Sequence, residues 1–206
     1  MIKNLKPRLY QETILATCSQ KNTLVVLPTG MGKSIVFIML AAQRLQNYPN
    51  SKILVLAPTK PLCEQHYNSF KNFTKVKEIT LLTGSIKPEK REELFAESKI
   101  IISTPQGLEN DLVANRISFN DVSLMVFDEC HRAVKDYSYV WLAKHYINNA
   151  EFPRILGLTA SPGSNLETIK EVCANVHAEA IEVRTEKDPD MKPYVQDVKL
   201  NFIEVE

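Results

Sequence analysis

The chain has 206 residues, 44% of them hydrophobic, and a formal net charge of +1. That length and composition suit one globular domain with a real core, and the near-neutral balance excludes a global field that would pull the chain onto nucleic acid, so any such partner must be held by local donors and a few side chains. Four scattered cysteines with no C-x-x-C pair argue against zinc and against a disulfide framework, which fits a reducing cytoplasmic compartment, or a nucleus in a eukaryote, and no apolar run is long enough to span a membrane.

In chain order, Arg8 to Thr17 is expected to form a short entry helix, with Leu9, Ile14 and Leu15 sharing a face. The apolar run Leu24 to Leu27 predicts a strand, and a helix follows from Lys33 to about Gln46, stopped by Tyr48-Pro49-Asn50-Ser51. Ile53 to Ala57, Glu78 to Leu82, Ile100 to Ile102, Leu124 to Phe127, Ile155 to Leu158 and Ala180 to Val183 read as further strands. Leu62 to Phe70, a charged and mostly exposed Pro88 to Ala96, Tyr139 to Asn148 and Leu166 to Val176 read as helices. Strands that are solidly apolar are buried on both faces, so the fold class is α/β, an open parallel sheet with helices on both faces. In such sheets ligands gather beyond the carboxyl ends of the strands, where the polar clusters of this sequence fall. Residues 1–184 form this domain; residues 185–206 read as a charged linker and an alternating strand, Val198 to Val205, leading to a downstream domain.

Two clusters carry the chemistry. Leu27-Pro28-Thr29-Gly30-Met31-Gly32-Lys33-Ser34, between a strand and a helix, has the setting of a phosphate-binding loop, with Leu27 where the leading glycine usually stands. Its backbone donors suit a polyphosphate, Lys33 adds a mobile charge for the β- and γ-phosphates, and the Ser34 hydroxyl can hold Mg²⁺. Asp128-Glu129-Cys130-His131 follows a buried strand: Asp128 can supply the carboxylate that Mg²⁺ needs, and Glu129 can polarise a water toward the γ-phosphate. Pro58-Thr59-Lys60, Thr83-Gly84 and Thr104-Pro105 each end a strand before a helix, where N–H groups and hydroxyls can bind nucleic-acid phosphates. His66, His145 and His177 lie outside any motif and are assigned structural or solvated roles.

These residues resemble the first RecA-like domain of a superfamily-2 helicase with a DECH box, most closely the archaeal Hef and eukaryotic FANCM branch. Arg8-Leu9-Tyr10-Gln11 is similar to the adenine-reading Q element, Leu27 to Ser34 to motif I, Ala57 to Leu62 to motif Ia, Thr83-Gly84 to the next short element, Thr104 to Leu108 to motif Ib, Asp128 to His131 to motif II and Thr159-Ala160-Ser161 to motif III. The resemblance implies ATP and Mg²⁺ as cofactors, with Arg8, Gln11 and the loop from Pro28 to Ser34 on the nucleotide. It also implies a relay of nucleotide state through His131, Thr159 and Ser161 toward Asp128 or His131. A second RecA-like domain in the full-length chain is implied, and DNA in preference to RNA as partner, in repair of branched or forked DNA. An RNA helicase or double-stranded RNA sensor, a P-loop kinase or other ATPase, and a nucleotide-holding regulatory module stand as alternatives.

Overall fold

A computed structural model describes residues 1–3, 5–161 and 166–194. Seven strands form one sheet: Thr23–Val26 (β1), Lys52–Leu56 (β2), Ile79–Leu82 (β3), Ile100–Ser103 (β4), Val122–Phe127 (β5), Ile155–Thr159 (β6) and Ala180–Val183 (β7). Their order is β3-β4-β2-β5-β6-β1-β7 and all pairings are parallel. The helices are Leu9–Gln20 (α1), Lys33–Asn47 (α2), Lys60–Phe73 (α3), Pro88–Glu97 (α4), Pro105–Val113 (α5), Ser138–Asn149 (α6) and Leu166–Asn175 (α7).

The sheet has a core on each side. Alternate residues of one strand serve opposite faces: Val25, Ile53 and Val55 pack with Tyr10, Phe37 and Phe70 of α1 to α3, whereas Leu24, Leu54 and Leu56 pack with Phe95, Leu108, Leu142 and Val172 of α4 to α7. Both faces are covered, which is why these strands are apolar without alternation.

Strand ends come into register along one edge. Leu27 N–H donates to Thr159 O (3.0 Å), Asp128 N–H to Leu56 O (2.9 Å) and Ala57 N–H to Ser103 O (3.2 Å). The edge therefore divides by topology: the turns after β3, β4 and β2 are neighbours on one half, and the ends of β5, β6 and β1 are neighbours on the other.

The expected face of α1 needs correction. The buried face of α1 is Tyr10, Gln11, Ile14 and Cys18, and Leu9 is exposed. Tyr10, Ile14 and Cys18 keep the i, i+4, i+8 spacing, and Leu9 lies about 100° round the helix from Tyr10. After β7, Arg184 pairs with Glu182 and Asp190, Met191 is fully buried, and the Arg8 guanidinium lies 4.5 Å from the centre of the Tyr194 ring. The strand expected over Val198 to Val205 lies outside the described residues.

Candidate nucleotide and nucleic-acid sites

The loop after β1 closes with two glycines at positive φ, Gly30 (+80°) and Gly32 (+73°), and Gly32 in this left-handed conformation is the N-cap of α2. Leu27 has no such φ; it extends the line of β1 and its side chain is fully buried in the core. The position needs no glycine here because its backbone is ordinary. Lys33 Nζ donates to Leu27 O (2.9 Å) and lies 3.5 Å from Pro28 O. Burial pushes the Lys33 pKa down, and the Asp128 and Glu129 carboxylates push it back up.

Asp128 and Glu129, adjacent in sequence, part at the end of β5. Asp128 keeps its bond to β2, its carbonyl accepts from the Tyr139 hydroxyl (2.7 Å), and it is buried. Glu129 turns into the left-handed region (φ 51°, ψ 46°), uncommon for a residue with a Cβ, and its side chain stays about one-third exposed. One carboxylate is thereby held and the other released toward solvent. Gly157 of β6 makes room for the turn, since a Cβ there would meet Cys130 Sγ at 2.6 Å.

Thr29, Gly30, Gly32, Lys33, Ser34, Asp128 and Glu129 line one cleft of about 330 Å³, together with Leu62, Gln65 and His66 of α3. Pro28 and Met31 form the back of the loop: Met31 is buried, and its N–H donates to Pro28 O (3.3 Å). Arg8 and Gln11 sit behind that loop. Gln11 is buried; its Oε1 accepts from Arg8 N–H (2.9 Å), and its Nε2 lies 3.4 Å from both Met31 O and Gly32 O. Tyr10, which no motif singled out as a contact, donates to Met31 O at 2.7 Å.

Of the two residues expected to meet Thr159, His131 is the one in hydrogen-bond reach, not Asp128. Thr159 Oγ1 donates to Ser161 O (2.6 Å), accepts from Ser161 N–H (3.2 Å), and lies 3.0 Å from His131 Nδ1. A hydroxyl has one hydrogen, so Nδ1 is the donor of that bond. The same ring nitrogen is 3.3 Å from Glu129 Oε2, which joins Thr159 to Glu129 through one imidazole.

The partner of Asp128 is His66, which lies outside any motif and is expected to have only a structural or solvated role. His66 Nε2 stands 2.7 Å from Asp128 Oδ2, with both side chains buried. A sequence signal existed, in that His66 falls on the sheet-facing side of α3 with Cys63 and Phe70, but nothing local names a partner 62 residues away.

On the other half of the edge Thr59, Lys60 and Gly84 are exposed, Pro58, Thr83 and Thr104 are half-buried, and Pro105 is buried, where it starts α5 without needing an N–H bond. Helix α4 is mostly exposed, as expected, but Arg91 on it is buried. It donates through Nε to Asp111 Oδ2 (2.7 Å) and through Nη1 to Thr83 O (2.8 Å), while Arg116 takes Asp111 Oδ1 (3.0 and 2.9 Å). This cluster ties the turn at Thr83 to α5. Asp111→Ala should destabilise the chain by about 3–5 kcal/mol, because it leaves the Arg91 guanidinium buried and unpaired; denaturant unfolding of the two proteins measures it.

The DEAD/DEAH box helicase family profile matches residues 8–169. The chain belongs to that family. A Methanocaldococcus jannaschii protein provisionally named as an ATP-dependent RNA helicase is 45% identical over 99% of this chain, which covers 26% of that protein. A Drosophila melanogaster protein named DEAD-box ATP-dependent DNA helicase Fancm is 34% identical over 93% of this chain and 13% of its own length. The chain thus spans about a quarter or less of these curated relatives. The helicase domain of Pyrococcus furiosus Hef superposes with a TM-score of 0.91 at 49% identity, over 96% of this chain and 42% of that one. Its RecA-like α/β fold is the fold of this chain.

ATP, typically with Mg²⁺, is what the family implies, and the cleft's donor set fits. Ser34 supplies a hydroxyl, Lys33 a cation, and Asp128 a carboxylate of which Oδ2 is bonded to His66 and Oδ1 accepts no hydrogen bond among the described residues. Hard oxygen donors of this kind suit Mg²⁺ that keeps several of its waters.

Proposed function

We propose that this chain is the ATP-binding half of a motor that remodels branched or forked DNA, working in the cytoplasm or, in a eukaryote, the nucleus. The observation that carries the reading is the shared cleft: Gly30, Gly32, Lys33 and Ser34 line it together with Asp128 and Glu129, beside the three strand-end turns on the adjoining half of the same edge. The loop's backbone donors and Lys33 bind the polyphosphate, Gln11 and Arg8 serve the adenine end, and Glu129 takes the proton of the attacking water. Mg²⁺, when bound, neutralises charge developing on the phosphates. Ser34 and the Asp128 carboxylate hold it, in part through water. Thr59, Lys60, Thr83, Gly84 and Thr104 contact one nucleic-acid strand through its phosphates, with Pro58 and Pro105 shaping the turns.

A second reading, RNA as the substrate, is favoured by the name of the Methanocaldococcus relative. The two separate on ATPase stimulation in a protein containing this chain and a second RecA-like domain: the first predicts stimulation by forked DNA above double-stranded RNA, and the reverse order would replace it.

The site itself is tested on Lys33→Ala. Charge-assisted hydrogen bonds contribute about 1.5–3 kcal/mol each, so losing the loop's mobile cation should weaken Mg²⁺·ATP binding about 10- to 100-fold. Calorimetric titration of the two proteins reads this directly, and equal affinities would remove the phosphate assignment.

A further inference from the structure

Helix α3 reaches both halves of the working edge. Its N-cap is Thr59, in the exposed turn after β2, and His66 on the same helix donates to Asp128 at the end of β5. His66 lies six positions along the helix from Lys60, a rise of about 9 Å. A carboxylate only accepts, so the hydrogen of the 2.7 Å contact is on His66 Nε2. Both side chains are buried.

Three features say that this bond is more than packing. The other ring nitrogen, His66 Nδ1, is buried with no hydrogen-bond partner among the described residues, at a cost of about 1–3 kcal/mol that an apolar side chain would avoid. The ring is set edge-on against Phe37 of α2, 5.1 Å between centroids at 89°, which limits its rotation. The backbone of Asp128 is held at both its N–H and its carbonyl, so the rotation of the carboxylate is the freedom that remains, and His66 removes it.

We propose that His66 is a positioning residue: by holding Oδ2 it presents Oδ1 of Asp128 to the hydrated metal, and through α3 it ties that presentation to phosphate binding at Thr59 and Lys60. The proposal rests on the nucleotide-site reading above. A helix moves as a unit, so any shift of α3 on phosphate binding at Thr59 and Lys60 is carried to His66 and its bond to Asp128. Linkage then requires that metal-bound nucleotide tighten nucleic acid by the factor with which nucleic acid tightens metal-bound nucleotide.

The test uses this chain and two variants, His66→Leu, which fills the space without a donor, and His66→Gln, whose amide N–H can reach the same oxygen. A fluorescent ATP analogue is titrated with and without Mg²⁺, and a fork-shaped DNA oligonucleotide is titrated with and without the Mg²⁺-bound analogue. Loss of a partner that orients a metal-ligating carboxylate typically costs about 10- to 100-fold in metal affinity. His66→Leu should therefore lose most of the Mg²⁺-dependent gain in nucleotide affinity, a larger loss than any change in its Mg²⁺-free affinity. It should also lose the tightening of DNA by nucleotide, and His66→Gln should keep both. Equal weakening with and without Mg²⁺, a His66→Gln variant as impaired as His66→Leu, or parent-like behaviour of His66→Leu would each overturn the proposal. Intact DNA tightening in His66→Leu would overturn its coupling to α3. A parent chain whose affinity ignores Mg²⁺ would instead overturn the nucleotide-site reading, and this proposal with it.

Discussion

ATP turnover by Met1 to Glu206 alone is expected to run about 10³ to 10⁵ times more slowly than turnover by the same chain joined to a second RecA-like domain, the range that a supplied arginine finger is typically worth. Phosphoryl transfer leaves the protein little covalent work; positioning and charge stabilisation supply most of the rate. The cleft meets only part of that need. Among the described residues that line it, Lys33 is the one lysine and there is no arginine. Arg8, behind the loop, is engaged with the Tyr10 hydroxyl (3.1 Å) and the Tyr194 ring. Steady-state ATPase assays of the short and joined proteins, with and without DNA, compare the two. Strong DNA-stimulated turnover by the monomeric short chain would show that the groups of this cleft suffice, and turnover that rises steeply with protein concentration would point to arginines shared between copies.

Glu129→Gln, placed in the joined protein, should leave ATP affinity nearly unchanged and lower kcat by about 10² to 10⁴, the usual contribution of a general base. The amide keeps the shape of the side chain and the strained backbone at φ 51°, but it cannot take a proton as a carboxylate does. Because Glu129 also lies 3.3 Å from His131 Nδ1, the same substitution should weaken the link to Thr159, so the change should fall on kcat and on DNA stimulation together. Single-turnover hydrolysis measured beside equilibrium binding separates these effects. Hydrolysis at the parental rate would move the base elsewhere.

Arginine 91 shows how far local pattern reaches. Its helix, α4, is charged and largely exposed, and by composition every basic residue on it belongs in water; only the neighbouring α5 reveals that Arg91 faces Asp111 and Thr83 O. Gln11 is similar. An amide near a phosphate loop can be read from the sequence, whereas its burial against Met31 O and Gly32 O depends on how α1 lies on the start of α2.

By itself the sequence determined what depends on neighbours along the chain. The apolar runs from Leu24 to Leu158 set strands covered on both faces. The Gly30 and Gly32 spacing set a loop able to take positive φ, and the acids directly after Phe127 set carboxylates at a strand end. Each of these is a local requirement of backbone conformation or periodic burial, which residue type and spacing record. The tertiary structure alone decided which polar groups meet. The strand order β3-β4-β2-β5-β6-β1-β7 puts the three phosphate-binding candidates side by side, lays β2 against β5, and so brings α3 over the end of β5, where His66 finds Asp128. A buried side chain's hydrogen-bond partner is fixed by the crossovers that stack distant segments, and no spacing within one segment encodes it.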